Sequence, residues 1–190
     1  MEKRGDSRQK AIEAAERLFR TQGYAATGLT EILEVSGAPK GSFYFHFPGG
    51  KRELARAVLD AYGARIEAGI RALAARHDGD LAGFVRALCK AAAKDMEATD
   101  WTFGCAAQNL ANELAPGDGE FAAALAEIFA GWIAAIAEGI KARHPSRAAA
   151  ERRATAILAA LEGARTLARS ARSGAAFDAV IDLVLTGQRA

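Results

Sequence analysis

Apolar residues in this chain recur at three- and four-residue spacing, and no segment alternates apolar with polar residues between hairpin turns. Ile12, Ala15, Leu18 and Phe19 share one helical face. Gly23 ends that helix, with Tyr24 placed to fold back on it. Thr27 reads as the N-cap of a short second helix carrying Leu29, Ile32 and Leu33, which Gly37 stops. Pro39 fits the first turn of a third short helix, where its missing N–H costs nothing, and Pro48-Gly49-Gly50 closes that helix. A long helix is expected from about Lys51 to Arg76, ended by His77-Asp78-Gly79-Asp80. Helical patterns then run from Leu81 to about Thr99, from about Cys105 to Leu114, from Gly119 to about Arg143, from Ser146 to about Ser173 and from Ala176 to Thr186. Pro116-Gly117-Asp118-Gly119 and His144-Pro145 separate three of them. The expectation is an all-α chain of three short helices followed by longer ones.

Composition narrows the function classes only slightly. The chain is 51% apolar and 25% charged, which suits a folded protein rather than a disordered one. A net charge of +2, with a mild basic excess in the first third, gives no strong steer toward nucleic acid. Any such partner must be argued from where the charges stand. Cys89 and Cys105 form no CxxC, and His46, His77 and His144 lie far apart, so neither metal nor other cofactor is expected. The N-terminal MEKRGDSRQK is charged where a signal peptide needs an apolar core, which points to the cytoplasm. Phe121 to Ile140 is the most membrane-like segment, yet it carries Glu127 and Glu138 and reads better as a buried helix than a bilayer span.

One stretch breaks the helical monotony: APKGSFYFHFPGGKREL, from Ala38 to Leu54. Two short helices joined by a tight Gly-containing turn, the second led by Pro39-Lys40-Gly41, match a helix-turn-helix. At ~100° per residue, Gly41, Tyr44 and Phe45 share one side with Lys40, while Ser42, Phe43, His46 and Phe47 take the other. Phe43 and Phe47 then plug a small core against Phe19, Tyr24 and Ile32, and Lys40 and Tyr44 face a DNA major groove. Gly41 allows close approach of the backbone. Phe45 has two readings, a contact with a thymine methyl or a cover over the domain's edge. His46 reads as a helix-end hydrogen-bonding residue. The hydroxyl and free N–H groups at Thr27 suit one phosphate, and Lys51 suits another.

At fixed spacing, Gly23-Tyr24-x-x-Thr27, Ile32, Gly37-Ala38-x-x-Gly41-x-x-Tyr44-x-His46-Phe47 and Lys51-x-x-Leu54 resemble the N-terminal domain of TetR-family transcriptional regulators. The resemblance is specific over about residues 8 to 55. FPGGKREL (Phe47 to Leu54) and GCAAQNLANELA (Gly104 to Ala115) resemble the LmrA/YxaF-type branch. The resemblance implies phosphate contacts by Thr27, Tyr44, His46 and Lys51, and base-edge contacts near Pro39, Lys40 and Tyr44. It also implies double-stranded operator DNA as partner, a homodimer and a small-molecule effector. Phe45 departs from the family, which often has a polar residue there, so no operator preference carries over. A DNA-binding domain is expected over residues 1–52 and an effector-binding and dimerisation domain over residues 53–190.

Within the larger domain, Tyr62, Ile66, Phe84, Leu88, Trp101, Phe103, Cys105, Gln108, Asn109, Asn112, Phe129, Trp132 and Ile133 are candidates to line an effector cavity. Gln108, Asn109 and Asn112 stand among Ala, Leu and Cys, where an apolar pocket wants a few orienting polar groups. Each also has a plain reading as core or, for Asn109, as a bond to neighbouring backbone. Ile157, Leu161, Ala164 and Ala168 form a stripe of mainly small residues, and Phe177, Val180, Ile181, Val184 and Leu185 a bulkier one. Both are assigned to a dimer interface in preference to the monomer core, because a lone helix-turn-helix binds weakly. No strained nucleophile turn, phosphate loop or paired-acid motif supports an enzyme. The functional expectation is a dimeric repressor released from its operator by an aromatic or lipophilic effector. The alternative is a helical small-molecule-binding or adaptor module without specific DNA binding.

Overall fold

The computed structural model describes residues 4–141 and 146–186. Among them the chain forms nine helices and no strand: α1 (Arg4–Gln22), α2 (Leu29–Ser36), α3 (Lys40–His46), α4 (Gly50–Arg76), α5 (Leu81–Glu97), α6 (Ala106–Leu114), α7 (Gly119–Ile140), α8 (Arg147–Ala171) and α9 (Ala175–Thr186). The expected breaks fall where Gly, Pro and Asp stand. The break at His144-Pro145 lies outside the described residues. One expectation needs correction: the first helix is not short, since α1 runs for 19 residues.

Two compact units emerge, one holding residues up to Gly63 together with Cys105–Leu125, the other Ala64–Gly104 and Ala126–Ala190. The division falls inside α4 and α7 rather than at residue 52, and it groups α6 with the first three helices.

In the first unit, α1 packs on α2, α3 and α6. Ala15, Phe19, Ile32, Phe43 and Phe47 are at most 1% exposed, so the two ends of the aromatic row, Phe43 and Phe47, are core. Burying a side chain of this size stabilises by roughly 2–3 kcal/mol. The Phe43 and Phe47 rings lie 5.4 Å apart, and Ser7 and Ser42 share a 2.8 Å hydroxyl hydrogen bond that ties α1 to α3.

In the second unit, α5, α8 and α9 pack on one another. The Asp80 carboxylate accepts from the Gly83 N–H at the start of α5, and the Ser146 hydroxyl does the same for Ala149 at the start of α8. Gly139 faces Phe84 so closely that a Cβ there would sit 2.5 Å from the ring, which explains a glycine inside α7. That helix is long and apolar enough, by length and composition, to cross a membrane. Its Phe121, Leu125, Trp132, Ile136 and Ile140 are each no more than 2% exposed, the pattern of a packed core helix.

Candidate nucleic-acid interface

Gly37 closes α2 with φ +64°, and Ala38 and Pro39 complete a three-residue turn into α3. Pro39 is the N-cap of α3, one position earlier than expected, and its carbonyl accepts the Phe43 N–H at 3.0 Å. Seven residues then divide by burial as the angular reading requires. Phe43 is 1% exposed, whereas Tyr44 is 43% and Phe45 67% exposed. Pro39, Lys40 and Gly41 are exposed as well. A Cβ on Gly41 would meet no atom within 4 Å, so nothing in the chain itself requires a glycine there. His46 is half-buried in the last turn of α3 and sets its ring edge-to-face against Phe45 and Phe47.

Thr27 requires correction. Gly28, not Thr27, is the N-cap of α2. The Thr27 side chain is fully buried and its hydroxyl donates to the Gly23 carbonyl at 2.6 Å, so it shapes the α1–α2 turn. Lys51 is likewise turned inward. Its ammonium donates to the carbonyls of Tyr24 and Thr27, each at 3.0 Å, and lies 4.1 Å above the Tyr24 ring. Two of its three protons are thus committed to the turn.

The same turn is held from α6 by residues the sequence reading did not single out or assigned elsewhere. Glu113 accepts the N–H groups of Tyr24 at 2.9 Å and Ala25 at 2.6 Å. Gly23 beside them has φ +86°, and a Cβ there would lie 2.3 Å from a Glu113 carboxylate oxygen. Asn109, one helical turn before Glu113, donates to the Phe19 carbonyl at 2.8 Å. An Asn and a Glu four residues apart share a helix face, and that was the available signal. Farther along, Arg52 bridges Asp118 at 2.8 Å and Glu120 at 2.6 Å. Asp118 also accepts the Phe121 and Glu120 N–H groups, and these bonds hold its carboxyl below the usual range, the Phe121 bond most of all.

The polar trio proposed for the effector cavity does not converge. Asn109 is spent on α1, Asn112 is exposed, and Gln108 is half-buried. Of the remaining candidates, Tyr62, Phe84, Leu88, Cys105 and Trp132 are buried, while Ile66, Trp101, Phe103, Phe129 and Ile133 are half-buried. In the second unit a groove of about 370 Å³ runs between α4, α7 and α8. Its charged walls are Arg71, Glu138, Lys141, Arg147 and Glu151, none of them among the expected cavity residues.

The dimer stripes are also corrected. Ile157, Leu161, Ala164, Ala168, Phe177, Val180 and Val184 are all at most 7% exposed within the single chain, and Ile181 and Leu185 are half-buried. The seven buried ones are core among α5, α8 and α9, the reading set aside at first. The outward faces carry other residues: Ala156, Ala159, Gly163 and Leu167 on α8, and Ala179 and Leu183 on α9.

Known proteins match both ends of this arrangement. Residues 11–58 match the family described as bacterial regulatory proteins, tetR family, and residues 82–183 match the transcriptional regulator LmrA/YxaF-like C-terminal domain. The HTH-type transcriptional regulator LmrA of Bacillus subtilis is 65% identical over 51 residues, 27% of each chain. YxaF of the same organism, an HTH-type transcriptional regulator, is 54% identical over 67 residues, 35% of each chain. The chain therefore aligns with about a quarter to a third of these relatives' lengths. A crystal structure of the regulatory protein TetR from Rhodobacter sphaeroides is 25% identical, with a TM-score of 0.79 over 93% of this chain and 95% of that one. This chain belongs to the TetR family of transcriptional regulators, in its LmrA/YxaF-like branch.

Proposed function

We propose that the chain acts as a homodimeric repressor that binds operator DNA through α3 and is released by a small aromatic or lipophilic effector. The observation that carries the DNA role is the outward face of α3, where Lys40, Gly41, Tyr44 and Phe45 stand exposed over a buried Phe43 and Phe47. Lys40 supplies a cation for a phosphate or a guanine edge, Tyr44 a hydroxyl for the backbone, and Gly41 room for close approach. Thr27, Lys51, Asn109 and Glu113 fix the turn that aims this helix.

Dimerisation places two such helices on successive half-sites. The outward faces of α8 and α9 suit a second copy: small residues let helices approach closely, and Leu167 and Leu183 are 63% and 65% exposed. A Cβ on Gly163 would meet nothing within 4 Å. In the second unit, Phe84, Leu88, Phe129, Trp132 and Ile133 are the favoured effector contacts, with the Phe129 and Trp132 rings edge-to-face at 5.4 Å. An effector releases DNA only if it binds the DNA-incompetent form more tightly. Action on chromosomal DNA places the protein in the cytoplasm.

Fluorescence anisotropy with DNA from the gene's own flanking region tests the reading. Wild type should prefer this DNA over unrelated fragments at moderate salt, and Tyr44→Ala should weaken binding by roughly tenfold or more. Equal, salt-dependent binding to every fragment by both proteins would leave only non-specific attraction and refute it.

A further inference from the structure

The outward face of α3 is not uniformly polar. Lys40, the Gly41 backbone and the Tyr44 hydroxyl all offer hydrogen-bonding groups, whereas Phe45 offers none. Phe45 is nevertheless the most exposed large apolar side chain among the described residues, at 67%. At that exposure most of the ring's surface is open to a partner. Its ring is also oriented, standing edge-to-face on His46 with centroids 5.1 Å apart and planes 79° apart. His46 in turn packs on the fully buried Phe47, so the exposed ring has a fixed footing.

The DNA major groove presents hydrogen-bond donors and acceptors and one apolar feature, the C5-methyl of thymine. Resting on the DNA-binding reading above, we infer that Phe45 is a specificity-determining residue that reads a thymine methyl. Lys40 and Phe45 are separated by about 7.5 Å along the helix, roughly two base-pair steps, so the methyl belongs to a base beyond the one Lys40 faces. The contact is apolar and neutralises no phosphate, so it adds sequence preference without adding to the salt dependence.

The test uses the full chain and an operator obtained by its own selection from random DNA. Each thymine is replaced singly by deoxyuridine, which removes only the methyl, and affinities are measured for wild type, Phe45→Ala and Phe45→Leu. At one thymine position in each half-site, wild type should lose roughly three- to tenfold, Phe45→Leu should remain sensitive, and Phe45→Ala should lose less than about twofold. An enriched operator in which no thymine is uracil-sensitive overturns this inference and leaves the regulator intact. Equal sensitivity in wild type and Phe45→Ala assigns the methyl to another residue and overturns it too. A selection that enriches no sequence defeats the DNA-binding reading itself, and this inference with it.

Discussion

Cys89 shows how far environment alone decides a residue's chemistry. Its side chain is 1% exposed, and burial, reinforced by the charge of Asp178, pushes the thiol up to about 11. The raised value means the proton stays on through neutral pH, and the thiolate is the nucleophile. Cys105 is equally buried. Both thiols should therefore react slowly with a thiol-specific reagent at pH 7.5 in folded protein and fully once it is unfolded in urea. Rapid labelling of native protein would show that these surroundings do not suppress the thiolates. Lys51 teaches the same lesson with the opposite surprise. Its charge and its place near a helix start were legible, but the carbonyls of Tyr24 and Thr27 that claim it come from a turn more than twenty residues away. Charge can be read from sequence, whereas a partner brought close by folding cannot.

Helix positions were legible because Gly, Pro and Asp interrupt the periodicity at nearly every true boundary. What covers an apolar helix face was not legible. Ile157, Leu161, Phe177 and Val180 have the spacing of an interface, but the same spacing serves a helix packed inside its own chain, and α5, α8 and α9 use it so. Burial separates the two cases and moves the candidate interface to Leu167 and Leu183. Single lysines placed there should act without harming the core. L167K and L183K should each shift the protein from dimer to monomer in sedimentation at micromolar concentration, with the helical signal and melting temperature nearly unchanged. A chain that stays dimeric with both lysines present uses another surface.

At the scale of the whole molecule, the compact unit that carries α3 runs to Gly63 and takes in Cys105–Leu125. The unit carrying α3 also includes α6, whose Asn109 and Glu113 hold the end of α1 and the following turn. The branch-specific GCAAQNLANELA segment is thus in part a brace for the DNA-binding helices. The family resemblance located the segment, but the sequence could not say that Asn109 and Glu113 face α1 and the following turn rather than a ligand. On the proposed reading, the partner meets the exposed face of α3. Gly41 tests that claim most directly, because the chain has no use of its own for a missing side chain there. Gly41→Ala should melt at or above the wild-type temperature, since alanine favours helix and its Cβ meets nothing. Its affinity for the selected operator should fall by roughly tenfold or more, as a methyl group enters the space between α3 and the DNA. Undiminished operator binding by a fully folded Gly41→Ala protein would contradict the assignment of this face to DNA.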